Sequence, residues 1–416
     1  MQNKNWRFVN GTIAIAAVTL LFVSFTTLAV AQRISGEERS AIFAAAPRIQ
    51  TSVKGVTAIA SPPKDFNPFT ATNRELLSYG LPQAPDKTAD PKAYEHWQKA
   101  MLAVQSCNQH AQQGSSTSAA AHQACHATDV KAQPYSSVNA RSAGKAATAN
   151  ADGTSSITYL NWSGIANTNK LKAWSNKTSF DEVVSIWNVP LSNHPFGNIP
   201  CADGPWFDVT WNGIDGFSNG DVVQGGSANY WDGGGCKGSV ATYGWVEWYP
   251  SYSILALYCN DGVASTSGTT LCPVGAGDDF YVITYGAAGT TEQFVFVEDV
   301  TQQWSGTMGL TYQSGPGLVG NSAEYIVERP CCNGDNFFPL GNYVWEFFND
   351  SFAYDGNGTL FYPGSAATST YIITMCDDGC GENISAPEGY GTAGFQGRYS
   401  IWMTDENCAY SGGCTP

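Results

Sequence analysis

The sequence predicts an all-β protein: an antiparallel β-sandwich domain preceded by a partly helical, low-complexity prosegment. From Ile157 onward, short runs of aromatic and β-branched residues alternate with clusters of Gly, Asn, Asp and Ser. No long run with a 3.6-residue apolar period interrupts them. Upstream, residues 107–155 are rich in Ala, Ser, Gln and Thr and nearly lack large apolar residues.

The first 31 residues predict a secretory signal peptide. Lys4 and Arg7 precede an uncharged apolar run that ends on the small-x-small pattern Ala-Val-Ala before Gln32. The run is also long enough to span a bilayer, so an uncleaved anchor is the alternative. We expect secretion to an extracellular or periplasmic location, with no membrane association after the signal is cleaved.

Residues 32–155 are predicted to be a propeptide and linker. Asp90 followed by Pro91 is typical of the N-cap and first position of a helix, which we expect to continue to Val104. The composition of residues 107–155 cannot bury enough apolar surface to fold alone, which indicates a linker.

Residues 156–416 are predicted to form the β-sandwich domain. Its predicted strands are rich in Val, Ile, Tyr, Phe and Trp, and they have the short, turn-bounded form typical of sandwiches and barrels. The clearest strand candidates are 183–189, 238–249, 279–285, 292–298, 371–375 and 397–403.

Charge changes sign along the chain. Residues 32–150 hold 12 Lys and Arg against 8 Asp and Glu, whereas residues 151–416 hold 6 against 27. A domain with this excess of acidic residues does not bind nucleic acid by neutralising the phosphates of the nucleic acid. Its carboxylates should attract the basic segment near neutral pH and lose that attraction in acid.

The charge pattern and the flexible linker together predict maturation by cleavage. We expect an inactive precursor that is cut between about Ala120 and Ser155, leaving a mature domain from near Ile157. A permanent stalk is the alternative. The upstream histidines become cationic below about pH 6.5, which we expect to tighten docking at pH 5–6 and to delay release until about pH 4.

The chain has 12 cysteines. An even number behind an export signal favours disulfides, and the lack of a Cys-x-x-Cys pair makes a zinc site a poor fit. We therefore expect no metal, disulfides that stabilise the domain, and different partners for the adjacent Cys331 and Cys332.

Three segments carry polar groups inside strand-like apolar runs. Alternation puts Trp245, Glu247 and Tyr249 on one face of a strand. It likewise puts Glu324 and Glu328 on one face of another. Gln224 follows an apolar pair and precedes two glycines, a pattern that often marks close approach of a ligand or backbone. For Trp245, Glu247 and Tyr249, the alternative is an aromatic ladder on a solvated sheet. For Gln224, the alternative is a bulge that leaves its side chain exposed.

These motifs occur in a specific order. The segment 211–216 reads Trp-Asn-Gly-Ile-Asp-Gly, followed by Val-Val-Gln-Gly-Gly, Trp-Val-Glu-Trp-Tyr-Pro and Ala-Glu-Tyr-Ile-Val-Glu. Upstream stand Asn-Trp-Ser-Gly at 161–164 and Trp-Asn-Val-Pro at 187–190. Over residues 157–405 the chain resembles the glutamic peptidases of the eqolisin (G1) family.

The resemblance implies a concanavalin-like β-sandwich and a secreted, acid-active, pepstatin-insensitive endopeptidase made as a zymogen. It implies Gln224 and Glu328 as the catalytic pair, with Glu328 rather than Glu324 in the catalytic position. It further implies substrate-binding positions at Trp211, Asp215, Trp245, Glu247 and Tyr249. Family members carry an Asp four residues after the catalytic Gln, where this chain has Ala228.

The expected chemistry needs no cofactor. Glu328 would take a proton from the attacking water and deliver it to the departing amine, while the Gln224 amide stabilises the oxyanion. The reference pKa of a glutamate, about 4.3, makes such a base suited to acid. The expected partners are protein or peptide substrates, and the expected state is a monomer.

Two other functions are compatible with the same residues. A glycoside hydrolase would use Glu247 and Glu328 as acid and nucleophile and Trp211 and Trp245 as sugar platforms. That interpretation leaves Gln224 without a role. A carbohydrate-binding or adhesion sandwich would use the aromatic residues alone.

Overall fold

The computed structural model describes residues 33–113, 125–136, 141, 143–169, 179–192, 205–231, 239–260, 270–331, 337–343, 345–365, 367–390 and 401–405. The predicted signal peptide lies outside these ranges, as do Cys201, Cys236, Cys332, Cys408 and Cys414. Within the described residues, no helix is both long and apolar enough to cross a membrane.

The segment before the domain supplies the helices and four strands. These are α1 (Gly36–Ala45), α2 (Asn73–Ser78), α3 (Pro91–Gln113), β1 (Arg48–Gln50), β2 (Val56–Ile59), β3 (His126–Ala132) and β4 (Thr148–Ala149). The predicted helix is confirmed: Oδ1 of Asp90 accepts from the Ala93 amide at 3.1 Å, as an N-cap does. It runs past Val104 to Gln113.

The front sheet holds most of the motif residues. Its principal strands, in spatial order, are β5 (Ser155–Tyr159), β19 (Thr368–Cys376), β6 (Trp162–Asn169), β16 (Ser322–Glu328), β8 (Trp206–Ile214), β9 (Val222–Trp231), β10 (Val240–Tyr249) and β11 (Leu255–Asn260). β4 extends it beyond β5, while β12 (Thr270–Leu271) and β3 pair with β11. Neighbouring principal strands are antiparallel except β5, which is parallel to β19.

The back sheet packs behind the front sheet. Its order is β17 (Trp345–Asp355), β7 (Phe180–Asn188), β13 (Asp279–Tyr285), β14 (Glu292–Asp299), β15 (Trp304–Thr311), then β2 and β1. β18 (Leu360–Phe361) and β21 (Ile401–Asp405) also pair with β17, and β20 (Asn383–Tyr390) joins β21 to β19. The predicted antiparallel sandwich is confirmed.

The core lies between the two sheets. Alternate residues of each strand point into it, as the period of two requires. Val183 and Trp187 of β7 meet Val246, Trp248 and other inward residues of the front sheet in one cluster. The opposite faces of both sheets carry separate apolar clusters, so each sheet is covered on both sides.

The segment before the domain, predicted to be a prosegment, covers the outer face of the back sheet. Phe43 of α1 packs against Tyr285 and Phe294, with ring centroids 5.2 and 4.6 Å apart. Trp97 and Met101 of α3 belong to the same buried cluster. A segment that buries aromatic surface of the sandwich in this way is an integral layer of the full-length chain.

The predicted linker is partly wrong. Residues 126–132 form β3, which pairs along β11 at the edge of the front sheet, and residues 148–149 pair with β5. Composition argued against independent folding, but an exposed strand edge supplies the backbone partners that a short polar strand needs. The prosegment is therefore joined to both sheets.

Disulfide bonds connect Cys107 to Cys125, Cys259 to Cys272, and Cys376 to Cys380. The prediction that the cysteines form disulfides is confirmed at these positions. The first of these bonds lies within the prosegment and ties the end of α3 to the residue before β3.

Candidate active site

The candidate active site lies on the outer face of the front sheet. Directly paired residues on neighbouring strands point to the same face, so the register defines rows of side chains across β16, β8, β9 and β10. The first row holds Glu324, Gly213, Gln224 and Glu247; the second holds Ile326, Trp211, Gly226 and Trp245; the third holds Glu328, Val209, Ala228 and Tyr243.

Glu328 ends β16 in a fully buried position. The indole Nε1 of Trp211 donates to its Oε2 at 2.9 Å, and Nδ2 of Asn161 lies 3.4 Å from its Oε1. Trp211 is held in turn by the Trp162 ring, whose centroid is 4.8 Å away in an edge-on arrangement. The carboxylate is thus oriented by one donor on β8 and one from the residue just before β6.

Gln224 lies two strands from β16, on β9. Its Nε2 donates to Oε2 of Glu247 at 3.0 Å, across the directly paired strand β10. Both side chains are fully buried. A carboxylate accepts and never donates when ionised, so this bond fixes the amide with its NH₂ towards Glu247.

Gly226 and Gly213 lie beside the Trp211 and Gln224 side chains, where a larger residue would clash. A Cβ at Gly226 would lie 1.9 Å from the Thr210 carbonyl oxygen and 2.9 Å from Cβ of Trp211. A Cβ at Gly213 would lie 3.1 Å from Cβ of Gln224. The Gly positions in the two motifs therefore follow from close packing around the candidate dyad.

The predicted shared face of Trp245, Glu247 and Tyr249 is confirmed by the register of β9 and β10. Trp245 and Glu247 are buried, whereas Tyr249 is partly exposed. Together with Trp211, these residues surround Gln224 on one side of the sheet.

Asp215, predicted at a substrate-binding position, is buried just after the end of β8. Its carboxylate accepts from the backbone amides of residues 319, 320 and 321 at 2.5, 2.8 and 2.8 Å, and its φ is +70°. Burial raises its pKa to about 6, while the amide donors act in the opposite direction. Asp215 fastens the β8–β9 turn to the loop that leads into β16.

Glu324 stands on the row of Gln224, with Gly213 between them. Burial raises its pKa well above the ordinary value, and the nearby charge of Asp215 adds to the effect. At about pH 4, below even the ordinary pKa of a glutamate, Glu324 is therefore protonated and poorly suited to act as a base.

Ala228 occupies the third row between Val209 and Tyr243. Where the family pattern has an Asp, this chain has a small apolar residue inside an aromatic cluster. The hydrogen-bond support of the candidate dyad comes instead from Trp211, Asn161 and Glu247.

Residues 133–136, which follow β3, lie against this face. The amide of Gln133 donates to the Ile254 carbonyl at 2.8 Å, and Ser136 forms a two-way backbone bridge with Cys331, three residues after Glu328. Further along, the Arg141 amide donates to Oδ1 of Asn161 at 2.8 Å.

Sequence reasoning did not assign Asn161, although it noted the Asn-Trp-Ser-Gly motif that contains it. The side chain of Asn161 donates a hydrogen bond to Glu328 and accepts one from the backbone amide of Arg141. Tyr135 and the aromatic residues around it were also missed, because no local pattern signals a contact over more than 70 residues.

The chain matches one protein-family model. A model of the peptidase A4 family, the eqolisin family, matches residues 160–379, a span that contains Gln224, Glu247 and Glu328. A search of curated protein sequences found no match.

Solved structures of glutamic peptidases resemble the chain at low identity. Scytalido-glutamic peptidase with a transition state analog inhibitor is 19% identical, with a TM-score of 0.42, covering 59% of this chain and 98% of that chain. SCP-B, an eqolisin in complex with a tripeptide, is 16% identical, with the same coverage and a TM-score of 0.41. Aspergilloglutamic peptidase from Aspergillus niger is 20% identical, with a TM-score of 0.36, covering 48% of this chain and 99% of that chain.

The family match covers more than half of the 416 residues. It includes the three strands that carry Gln224, Glu247 and Glu328. The chain therefore belongs to the peptidase A4 family and is a glutamic endopeptidase.

Proposed function

We propose that this peptidase is secreted and acid-active, and that Glu328 and Gln224 form its catalytic dyad. The observation that carries the assignment is that both side chains emerge on one face of the front sheet, each oriented by a hydrogen bond from or to a buried neighbour. A carboxylate and a carboxamide on one face provide a base and an oxyanion donor without two ionised carboxylates in contact.

In the proposed mechanism, Glu328 acts first as general base. It removes a proton from a water molecule, which attacks the carbonyl carbon of the scissile bond. The negative charge that develops on the carbonyl oxygen is stabilised by an N–H of Gln224. Glu328 then gives the proton to the departing amine, and the tetrahedral intermediate collapses to an acid and an amine.

The supporting groups act through orientation. Glu247 accepts one N–H of Gln224, which leaves the other for the oxyanion. Trp211 and Asn161 hold the Glu328 carboxylate. Trp211, Trp245, Glu247 and Tyr249 are proposed to contact substrate around the dyad, whereas Asp215 supports the loop behind it.

We also propose that the full-length chain is an inactive precursor. Gln224 and Glu328 are both 0% exposed with the prosegment present. Asn161, a direct partner of Glu328, is bonded to the backbone of Arg141, upstream of the expected mature domain. Peptide binding therefore requires displacement of chain that now lies against this face.

Ion pairs support docking of the basic prosegment on the acidic domain. Nη1 of Arg39 is 2.8 Å from Oε2 of Glu182, which also pairs with Arg33. Nη1 of Arg48 is 2.6 Å from Oε1 of Glu292. The ion pairs of Arg39 are buried. Charges interact strongly in a buried site, and loss of one partner leaves the other charge buried and unpaired at a high cost in free energy.

The expected effect of the histidines has the wrong sign at His96 and His126. Burial lowers the pKa of each to about 4. For His96, the cations Lys92 and Lys99 add to this effect, and burial outweighs the opposing charge of Glu95. Nε2 of His96 lies 3.8 Å from Oδ2 of Asp350. The docked state thus disfavours the charged form, so protonation below about pH 6.5 should weaken docking. The side chains of His110 and His122 lie outside the described residues.

One assay separates this function from the two alternatives. Full-length protein is held at about pH 4 and then tested on denatured protein at about pH 3–4, with pepstatin and chelators present. Hydrolysis that resists both agents supports a glutamic peptidase dyad. Activity on glycans alone would support a glycoside hydrolase, and binding of glycans without turnover would support a lectin-like module.

A further inference from the structure

We propose that the peptidase binds an aromatic substrate side chain, preferably tyrosine, in the pocket that Tyr135 now fills. We call this the tyrosine pocket and define it by Phe207, Tyr230, Tyr243 and Phe338. The inference deepens the proposed function and rests on it.

The tyrosine pocket surrounds Tyr135 with ring edges and faces. The ring centroid of Tyr135 lies 4.6 Å from Phe207, 5.3 Å from Tyr230 and 5.8 Å from Phe338. Tyr135 is only 8% exposed, although Pro134 before it is exposed. T-shaped packing against Phe207 and Phe338, together with a tilted contact with Tyr230, selects a flat ring over a branched aliphatic side chain.

The floor of the tyrosine pocket also holds a polar group. The hydroxyls of Tyr135 and Tyr243 are 3.0 Å apart and hydrogen-bonded. Tyr243 is itself buried and its hydroxyl lies among aromatic rings. A phenylalanine bound here would leave that hydroxyl without this partner, so the pocket favours tyrosine over phenylalanine.

The backbone around Tyr135 is held as an extended peptide. Gln133 donates to the Ile254 carbonyl at 2.8 Å, and the Ile254 amide donates to the Tyr135 carbonyl at 3.3 Å. On the other side, the Ser136 amide donates to the Cys331 carbonyl at 3.3 Å, and the Cys331 amide donates to the Ser136 carbonyl at 3.0 Å. Main-chain bonds on both sides with one side chain in a pocket are a general mode of peptide recognition.

The tyrosine pocket lies close to the dyad along the sheet. Tyr243 shares the third row with Glu328, with Val209 and Ala228 between them. Ala228 leaves this row open for the neighbouring rings, because a larger side chain would fill the space beside Tyr243. The loop that begins just after Glu328 contains Cys331, and Cys331 forms the backbone bridge with Ser136. A peptide occupying these positions would pass over the catalytic face.

The test is a cleavage profile on a complex mixture of peptides. Full-length protein is held at about pH 4, incubated with the mixture at that pH, and the new termini are identified by mass spectrometry. The inference predicts that tyrosine, and less strongly phenylalanine, is enriched at one fixed position relative to the cleaved bond. Cleavage without aromatic enrichment at any position would overturn it.

Variants connect the preference to this pocket. Tyr243→Phe removes one hydroxyl and should lower the Tyr-to-Phe ratio at that position about fivefold, while aromatic residues stay preferred. Phe338→Leu should weaken the preference for both aromatic residues several-fold. Tyr371→Phe, on β19 and in ring contact with Phe217, is the matched control and should leave the profile unchanged. An unchanged profile in both Tyr243→Phe and Phe338→Leu would also overturn the inference.

Failure of the inference and failure of the proposed function give different results. If Glu328→Gln abolishes cleavage but the wild-type profile has no aromatic position, the dyad stands and the tyrosine pocket is rejected. If Glu328→Gln cleaves like wild type with the same aromatic preference, the dyad is rejected and the pocket stands.

Discussion

The amide of Gln224 and the carboxylate of Glu247 are joined by a 3.0 Å hydrogen bond directly across the β9–β10 pair. This contact orients the candidate oxyanion donor, because Nε2 of Gln224 donates in it and the NH₂ end of the amide is therefore turned towards Glu247. It also gives Glu247 a role that differs from that of an acid or base in glycoside hydrolysis.

Replacement of Glu247 should therefore impair turnover through Gln224. Glu247→Gln keeps an oxygen acceptor and should lower kcat modestly. Glu247→Leu removes the acceptor and should lower kcat at least about tenfold, with a smaller change in KM. Circular dichroism controls for folding. Equal kcat values for the Leu and Gln variants would contradict this positioning role.

Asp215 should matter for stability more than for chemistry. Asp215→Ala leaves one buried and two partly buried backbone amides without their acceptor and should cost about 2 kcal/mol in unfolding free energy. Asp215→Asn keeps one acceptor oxygen and tolerates the positive φ, so it should cost less. Urea unfolding of both variants tests this, and equal stability of Asp215→Ala and wild type would refute it.

Four buried carboxyl groups should make the folded protein less stable as pH rises from about 4 to 8, and they outnumber His96 and His126, which act in the opposite direction. Burial raises the pKa of Asp181, Asp208 and Asp215 to about 6 and that of Asp299 to about 8. Their folded pKa values exceed the unfolded ones, so the folded state binds more protons over this range. The stabilisation is fully present below about pH 4 and is lost as pH passes through 6 and then 8.

Urea unfolding at pH 5 and pH 8 measures this dependence. Each fully buried carboxylate with a pKa near 6 contributes a difference on the order of 2 kcal/mol. Asp208→Asn removes one titrating group, so its stability should fall less between these pH values than that of wild type. Greater wild-type stability at pH 8 than at pH 5 would contradict the expected sign.

Acid should release the prosegment and allow its cleavage. His96 and His126 have folded pKa values of about 4, so the stability that they contribute is present above about pH 6.5 and is lost as pH falls to 4. Full-length protein moved from pH 7 to pH 4 should be cut between about Ala120 and Ser155, as followed by mass and N-terminal sequencing.

Two variants examine this maturation step. His96→Gln removes one titrating side chain and should lower the pH at which cutting begins. Glu328→Gln should remain uncut if the peptidase cleaves itself, whereas persistent cutting would show that another protease acts. An intact wild-type chain that is fully active at pH 4 would exclude the zymogen.

Much of the fold and the candidate dyad could be predicted from local sequence. Strand-like runs separated by turn residues predict the sandwich, and the period of two places Glu247 with Trp245 and Glu328 with Glu324 on their strands. The ordered motifs select Gln224 and Glu328. Each of these inferences uses residues close together in the chain.

The remaining features depend on pairing between distant segments. The contact of Gln224 with Glu247 requires the β9–β10 register, and that of Asn161 with Glu328 requires β6 beside β16. Asp215 turns to a loop about 100 residues later because its backbone has a positive φ. β3 forms because β11 offers an open edge, and its composition alone does not signal a strand.

The most direct test of the central claim is turnover of denatured protein at about pH 4 by wild type, Glu328→Gln, Gln224→Ala and Glu324→Gln. The first two variants should each lose about a hundredfold or more in kcat while remaining folded, because one lacks the base and the other the oxyanion donor. Glu324→Gln should be much milder, because its carboxyl group is protonated at this pH. Each precursor variant is matured with a trace of active wild type, whose own turnover is subtracted. Near-wild-type kcat in folded, matured Glu328→Gln or Gln224→Ala would contradict the assignment of the dyad.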